Sequence, residues 1–187
     1  ANASSKKVAG YMEYVGKGYA YAGGVFDYNT AAVNNTKKAY SGKSSDKAYE
    51  ELEEMCKLCQ ENGVDFMVVN TPKAPYDIAA YGAEEYFAIN QKISGICSKY
   101  GADYYDFNLV KPELFAICPE YLSNFEHLNK TGSEVFCKAF SKFVLSRDAG
   151  EDVSQYFYDE DAYMESVKDI VAAYLPGYDN ANTNNQN

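Results

Sequence analysis

The chain of 187 residues has no tryptophan, a single histidine, and 17 Lys and Arg against 27 Asp and Glu. The shortage of basic side chains leaves a formal net charge of −10. It excludes the phosphate-backbone binding that needs clustered Lys and Arg, and equally adhesion to anionic lipid. A neutral or cationic small molecule, or a carbohydrate, suits such a surface better. No apolar run is long enough to span a bilayer and the N-terminus does not read as a signal peptide, so no membrane insertion by this segment is expected. The start at Ala1 rather than Met reads as that of a trimmed or excised piece. Five cysteines, an odd number, do not make a disulfide framework. Cys56 and Cys59 form a CxxC, but it falls within a run that reads as mid-helix, and no second CxxC accompanies it. A zinc or redox site needs a turn, a helix N-terminus or a further ligand pair, so the expectation is buried structural thiols.

What the chain does have is apolar material: 47% hydrophobic residues, with 19 tyrosines among its aromatics. That is enough for a sizeable core. Residues 1–45 are rich in Gly, Tyr, Asn, Ser and Lys and are expected to be irregular, with one short strand between Lys17 and Phe26, wrapping the core. An α/β core is expected over 46–147. Ser45-Asp46 opens a helix to about Asn62, with Tyr49, Leu52, Met55, Cys56 and Cys59 on its apolar face. Asn62-Gly63 ends it, and Val64 to Asn70 reads as a buried strand closed by Thr71-Pro72. The pattern repeats: a helix from Tyr86 to Tyr100 with Phe87, Ile89, Ile93, Ile96 and Cys97 inward, a break at Gly101, and a strand from Ala102 to Asn108. Strands alternating with helices of this length imply parallel pairing. Thr131-Gly132-Ser133-Glu134 reads as a capping box for a helix carrying Val135, Phe136, Ala139, Phe140, Phe143 and Val144. Residues 148–178 read as a helical appendage, its helix spanning Asp161 to Leu175, and 179–187 as a disordered Asn-rich tail.

Open α/β sheets bind ligands outside the carboxyl ends of their strands. Those ends are Asn70-Thr71 and Asp106-Phe107-Asn108, which makes Asn70, Thr71, Asp106 and Asn108 the candidate substrate-binding residues. Tyr76, Tyr81, Tyr104 and Tyr105 fall near the same edge and offer aromatic faces suited to sugars. His127, the one side chain whose unperturbed pKa suits proton shuttling near neutrality, lies just ahead of the late helix.

The segment Asn124-Phe125-Glu126-His127-Leu128-Asn129-Lys130-Thr131-Gly132, followed by Val135-Phe136, resembles the late D-x-x-H segment of the SGNH/GDSL hydrolases, commonly continued as HLN-x-x-G before a final amphipathic helix. The upstream helix, Asn-Gly turn, strand, second helix and strand also resemble cell-surface members of that family, so that the likeness covers roughly Tyr49 to Leu145. It implies a three-layer α/β/α fold with a parallel sheet, of the SGNH or flavodoxin-like type, incomplete at its N-terminal side if the chain is a piece of a longer enzyme. It implies an ester hydrolase or acyltransferase acting on a small-molecule or carbohydrate ester, or on a cell-envelope polymer. No cofactor and no metal are implied, and the location is extracellular or at the cell surface. His127 becomes the general base that activates a serine. The family's Asp is replaced by Asn124, which orients an imidazole without supplying charge. No G-D-S segment is present; Gly42-Lys43-Ser44-Ser45 follows no apolar strand. Two expectations follow: a hydrolase whose serine lies outside this chain, or a pseudoenzyme that binds a glycan or a partner protein.

Overall fold

The computed structural model describes residues 12–16, 19–27 and 46–174. The expected tail at 179–187, and Gly42 to Ser45 with the N-cap read there, lie outside the described residues. The chain is a mixed helix and strand fold built around a two-stranded parallel sheet. In order it forms a hairpin of β1 (Met12–Gly16) and β2 (Tyr19–Ala22), then α1 (Asp46–Glu61) and β3 (Met67–Asn70). The short α2 (Asp77–Tyr81), α3 (Ala83–Lys99), β4 (Asp103–Asp106), α4 (Lys130–Asp148) and α5 (Glu160–Tyr174) follow, with 3-10 turns between them. Among the described residues no helix is long and apolar enough to cross a membrane.

Both helix-to-strand turns end at a glycine held in the left-handed region, Gly63 at φ 65° and Gly101 at φ 71°. That conformation is cheap only without a Cβ. After Gly63 the amide of Val64 turns back to the carbonyl of Cys59 at 2.9 Å. Val64 is therefore spent on the turn and 54% exposed. The strand expected from Val64 begins instead at Met67. Asp65 is also drawn outward, into a bidentate pair with Arg147 at 2.6 and 2.8 Å, and the guanidinium holds its carboxyl below the usual carboxylate range.

β3 and β4 pair in register, Met67 with Asp103 through Asn70 with Asp106. The pleat sends alternate side chains to opposite sides. Val68 and Tyr104 pack toward Cys56 of α1 and Cys97 of α3. Met67, Val69 and Tyr105 pack toward Phe107 and Phe143 of a second cluster. Four rings surround Phe107 edge-on, at centroid distances of 5.1 to 5.6 Å, a geometry that aromatic quadrupoles favour. The thiols of Cys56 and Cys97 are both buried, and burial pushes the Cys97 thiol up to about 11. Met55, expected on the inner face of α1, is exposed, and Cys56 beside it takes the buried position.

A third cluster joins Ala74, Tyr76, Ile78 and Phe87 to the C-terminal helix, whose Tyr163, Val167 and Val171 are buried there. Tyr76 is a correction: it is 0% exposed and belongs to this core rather than to a ligand-facing edge. The side chain of Tyr81 lies outside the described residues.

Candidate functional site

At the carboxyl ends of β3 and β4 one carboxylate gathers the surrounding polar groups. Asp106, 7% exposed, accepts from the Tyr86 hydroxyl at 2.6 Å and from Asn90 Nδ2 at 2.7 Å on one oxygen. Its other oxygen accepts from the amide and the Nδ2 of Asn108, at 3.0 and 2.8 Å. Asn70 Nδ2 and Asn108 Nδ2 both donate to the Tyr86 hydroxyl at 3.0 Å, and the Tyr104 hydroxyl donates to Asn90 Oδ1 at 2.7 Å. Burial raises the Asp106 carboxyl above its ordinary range, against the pull of the bonds from Tyr86, Asn108 and Asn90. Burial, and then the charge of Asp106, hold the Tyr86 hydroxyl far above a normal phenol. Each of these groups is bonded to another within the network, which rigidifies the strand tips.

From there two backbone bonds lead to the histidine. Asn108 Oδ1 accepts from the Lys73 amide at 2.8 Å, and the next residue, Ala74, donates its amide to the Phe125 carbonyl at 2.8 Å. Phe125 lies in the loop between Leu122 and Leu128, which pair as an antiparallel bridge. Within that loop Asn124 Oδ1 accepts from the Glu126 amide at 2.9 Å and faces His127 Nδ1 at 3.0 Å. An atom that accepts from a backbone N–H is the amide oxygen, not the amide nitrogen. Nδ1 must therefore be the donor, which leaves Nε2 of the neutral ring as the acceptor. The ring is exposed. Among the described residues no serine hydroxyl is hydrogen-bonded to it; Ser123 Oγ donates to the backbone carbonyl of His127 instead, at 3.2 Å.

The remaining HLN-x-x-G positions are structural. Asn129 caps α4 by accepting from the Gly132 amide at 2.9 Å. This corrects the capping box expected at Thr131 to Glu134, because the N-cap is Asn129 and the helix starts at Lys130, two residues before the start such a box would give. The other end of the Asn129 amide donates to the carbonyls of Gly24, Glu120 and Leu122, at 3.0, 2.7 and 3.3 Å. Gly132 has no room for a side chain: a Cβ there would stand 2.1 Å from the carbonyl oxygen of Tyr121.

Asn70, Asp106 and Asn108 thus come together in one network, while Thr71 is exposed and stands outside it. Asn124 and His127 come together on the neighbouring loop and reach the network through backbone alone. Tyr86 and Asn90 were not among the residues singled out from the sequence. Their 86, 90, 93, 97 spacing, in phase with the buried stripe of α3, was the available signal. Two clefts flank the network. One, about 290 Å³, lies between β3 and α3, lined by Val69, Asn70, Tyr86 and Ile89. The other, about 810 Å³, follows the outer edge of β4. Asn90 and Tyr104 border both. Comparison with protein-family models, with curated proteins and with solved structures returns no match.

Proposed function

We propose that this chain carries the histidine-bearing part of an SGNH/GDSL-type ester hydrolase or acyltransferase, acting on acylated carbohydrate or a cell-envelope polymer outside the cell. The observation that carries the reading is the His127 tautomer: Asn124 Oδ1 accepts a hydrogen bond from Nδ1–H and leaves Nε2 as the acceptor, as a general base requires. The three-layer α/β/α fold belongs to the same proposal. It is supported by the side chains of β3 and β4, which alternate between the α1–α3 cluster and the α4 cluster. It is supported also by the outer edge of β3, which no strand among the described residues covers and whose Met67-Val68-Val69-Asn70 has no proline, lysine or bulge to protect it. Parallel strands apolar on both faces are normally interior ones.

A second reading rests on Asn124 itself. An orienting group without charge leaves an imidazolium unsupported, as in a pseudoenzyme that keeps the scaffold and binds a glycan or a partner protein. Hydrolysis of p-nitrophenyl acetate separates the two. The hydrolase reading expects slow turnover above buffer, lost in His127→Ala, and a gain of about tenfold or more in Asn124→Asp as charge returns behind the ring. Equal rates for the unaltered chain and His127→Ala would leave the binding reading standing.

A further inference from the structure

α1 is held to the core at one buried point. Of its 16 residues Cys56 alone is buried, and Leu52 packs half-buried beside it. Its polar ties to α3 and the turn that follows lie near the surface. Glu53 meets Lys99 and accepts from the Tyr100 hydroxyl at 2.8 Å. Lys92 lies 3.8 Å from Asp46 and 3.7 Å from the centre of the Tyr49 ring. Surface ties of this kind contribute little.

At the buried point Cys56 meets Cys97 of α3. The two are 1% and 0% exposed, in one cluster with Ala102, and their side chains are hydrogen-bonded to each other. Cys59, the other half of the CxxC, is half-buried and lies outside that cluster. We infer that Cys56 and Cys97 are a disulfide-forming pair whose oxidation clamps α1 onto α3, a device independent of the hydrolase reading. From hydrogen-bonded sulfurs to a bond of about 2.05 Å is an approach that side-chain rotation supplies.

The oxidant is a small-molecule disulfide such as glutathione disulfide. One cysteine thiolate attacks one of its sulfurs, a glutathione thiolate leaves, and a mixed disulfide remains on the protein. The second cysteine thiolate attacks the protein-side sulfur of that bond, and the other glutathione thiolate leaves. The two protons shed by the cysteines end on the two glutathiones. The protein loses two electrons and glutathione disulfide gains them. While the contact is closed, burial and then the neighbouring Cys56 hold the Cys97 thiol up to about 11, where little thiolate forms. Exchange therefore starts when α1 lifts, a local opening that its sparse burial favours. The finished bond suppresses that opening.

The test takes the full chain, reduced, and equilibrates it with glutathione disulfide. A parallel sample in urea below the unfolding transition keeps slow opening from masking the pair. Lys57 separates Cys56 from Cys59, so tryptic peptides identify the linkage. The expected product joins the Cys56 and Cys97 peptides and retains no glutathione at either. Cys59→Ala should give the same product. Oxidation should raise the melting temperature by about 5 °C or more and slow amide hydrogen exchange across α1 by about tenfold or more. Three results would each overturn the inference: both thiols still reduced in either sample, a bond from Cys56 to Cys59, or an oxidised chain whose melting and α1 exchange are unchanged.

Discussion

Gly132→Ala is expected to destabilise the chain by about 3 kcal/mol, the upper end of what an overpacked site costs. The added methyl would stand 2.1 Å from the Tyr121 oxygen and 2.8 Å from both the carbonyl carbon and the Cβ of Tyr121. The obstacle is mostly backbone, so no side-chain rotation relieves it. Nor can Tyr121 withdraw freely. Its carbonyl accepts from the Asn129 amide at 2.8 Å and its amide donates to Cys118 at 3.0 Å. The first turn of α4 and the 119–122 turn must separate, and the loop that carries His127 moves with them. Urea unfolding checks this; a variant within about 0.5 kcal/mol of the parent would show that the two backbones do not touch.

Asp106→Ala should cost about 3–5 kcal/mol, the range for removing one partner from a buried charged network. Four hydrogen bonds end on that carboxylate, and alanine leaves the Tyr86 hydroxyl, Asn90 Nδ2 and both Asn108 donors facing one another. The same group makes a prediction about pH. Because burial raises its pKa in the folded state, the folded chain holds this proton more tightly than the unfolded one. Its stabilising contribution is then complete below the unfolded carboxylate value of about 3.9 and is lost as pH rises through the folded one. The stability advantage of the parent over Asp106→Asn should therefore shrink as pH rises above the unfolded carboxylate value of about 3.9. A gap that widens instead would mean that the four donors outweigh burial and keep the carboxylate ionised.

The helices of the core were legible because their apolar residues repeat at three and four residue steps, and the turns at Gly63 and Gly101 because only glycine adopts those angles cheaply. The parallel pairing followed from the alternation of helix and strand, and β3·β4 has it. What escaped was decided by contacts distant in sequence. Val64 and Asp65 look like strand residues until Cys59 claims one amide and Arg147 one carboxylate. Tyr76 looks like a cleft aromatic until Tyr163, from the far end of the chain, bonds the Pro75 carbonyl beside it and closes the core. Within the site, Asp106 and Asn108 were marked by their place at a strand end. Tyr86 and Asn90 were passed over, because the inner face of a helix was read from apolar residues alone. The HLN-x-x-G pattern was visible as a string; the division of labour inside it was not. Asn and Gly there build the loop, and of the four pattern residues only the histidine is exposed.

Asn129 joins Gly24, Glu120, Leu122 and Gly132 through one buried amide, and Leu122 pairs with Leu128 across the foot of the histidine loop. The foot therefore comes apart only by local unfolding of the hairpin remnant, the 3-10 turn and the start of α4 together. The exposed imidazole stands on an anchored stem.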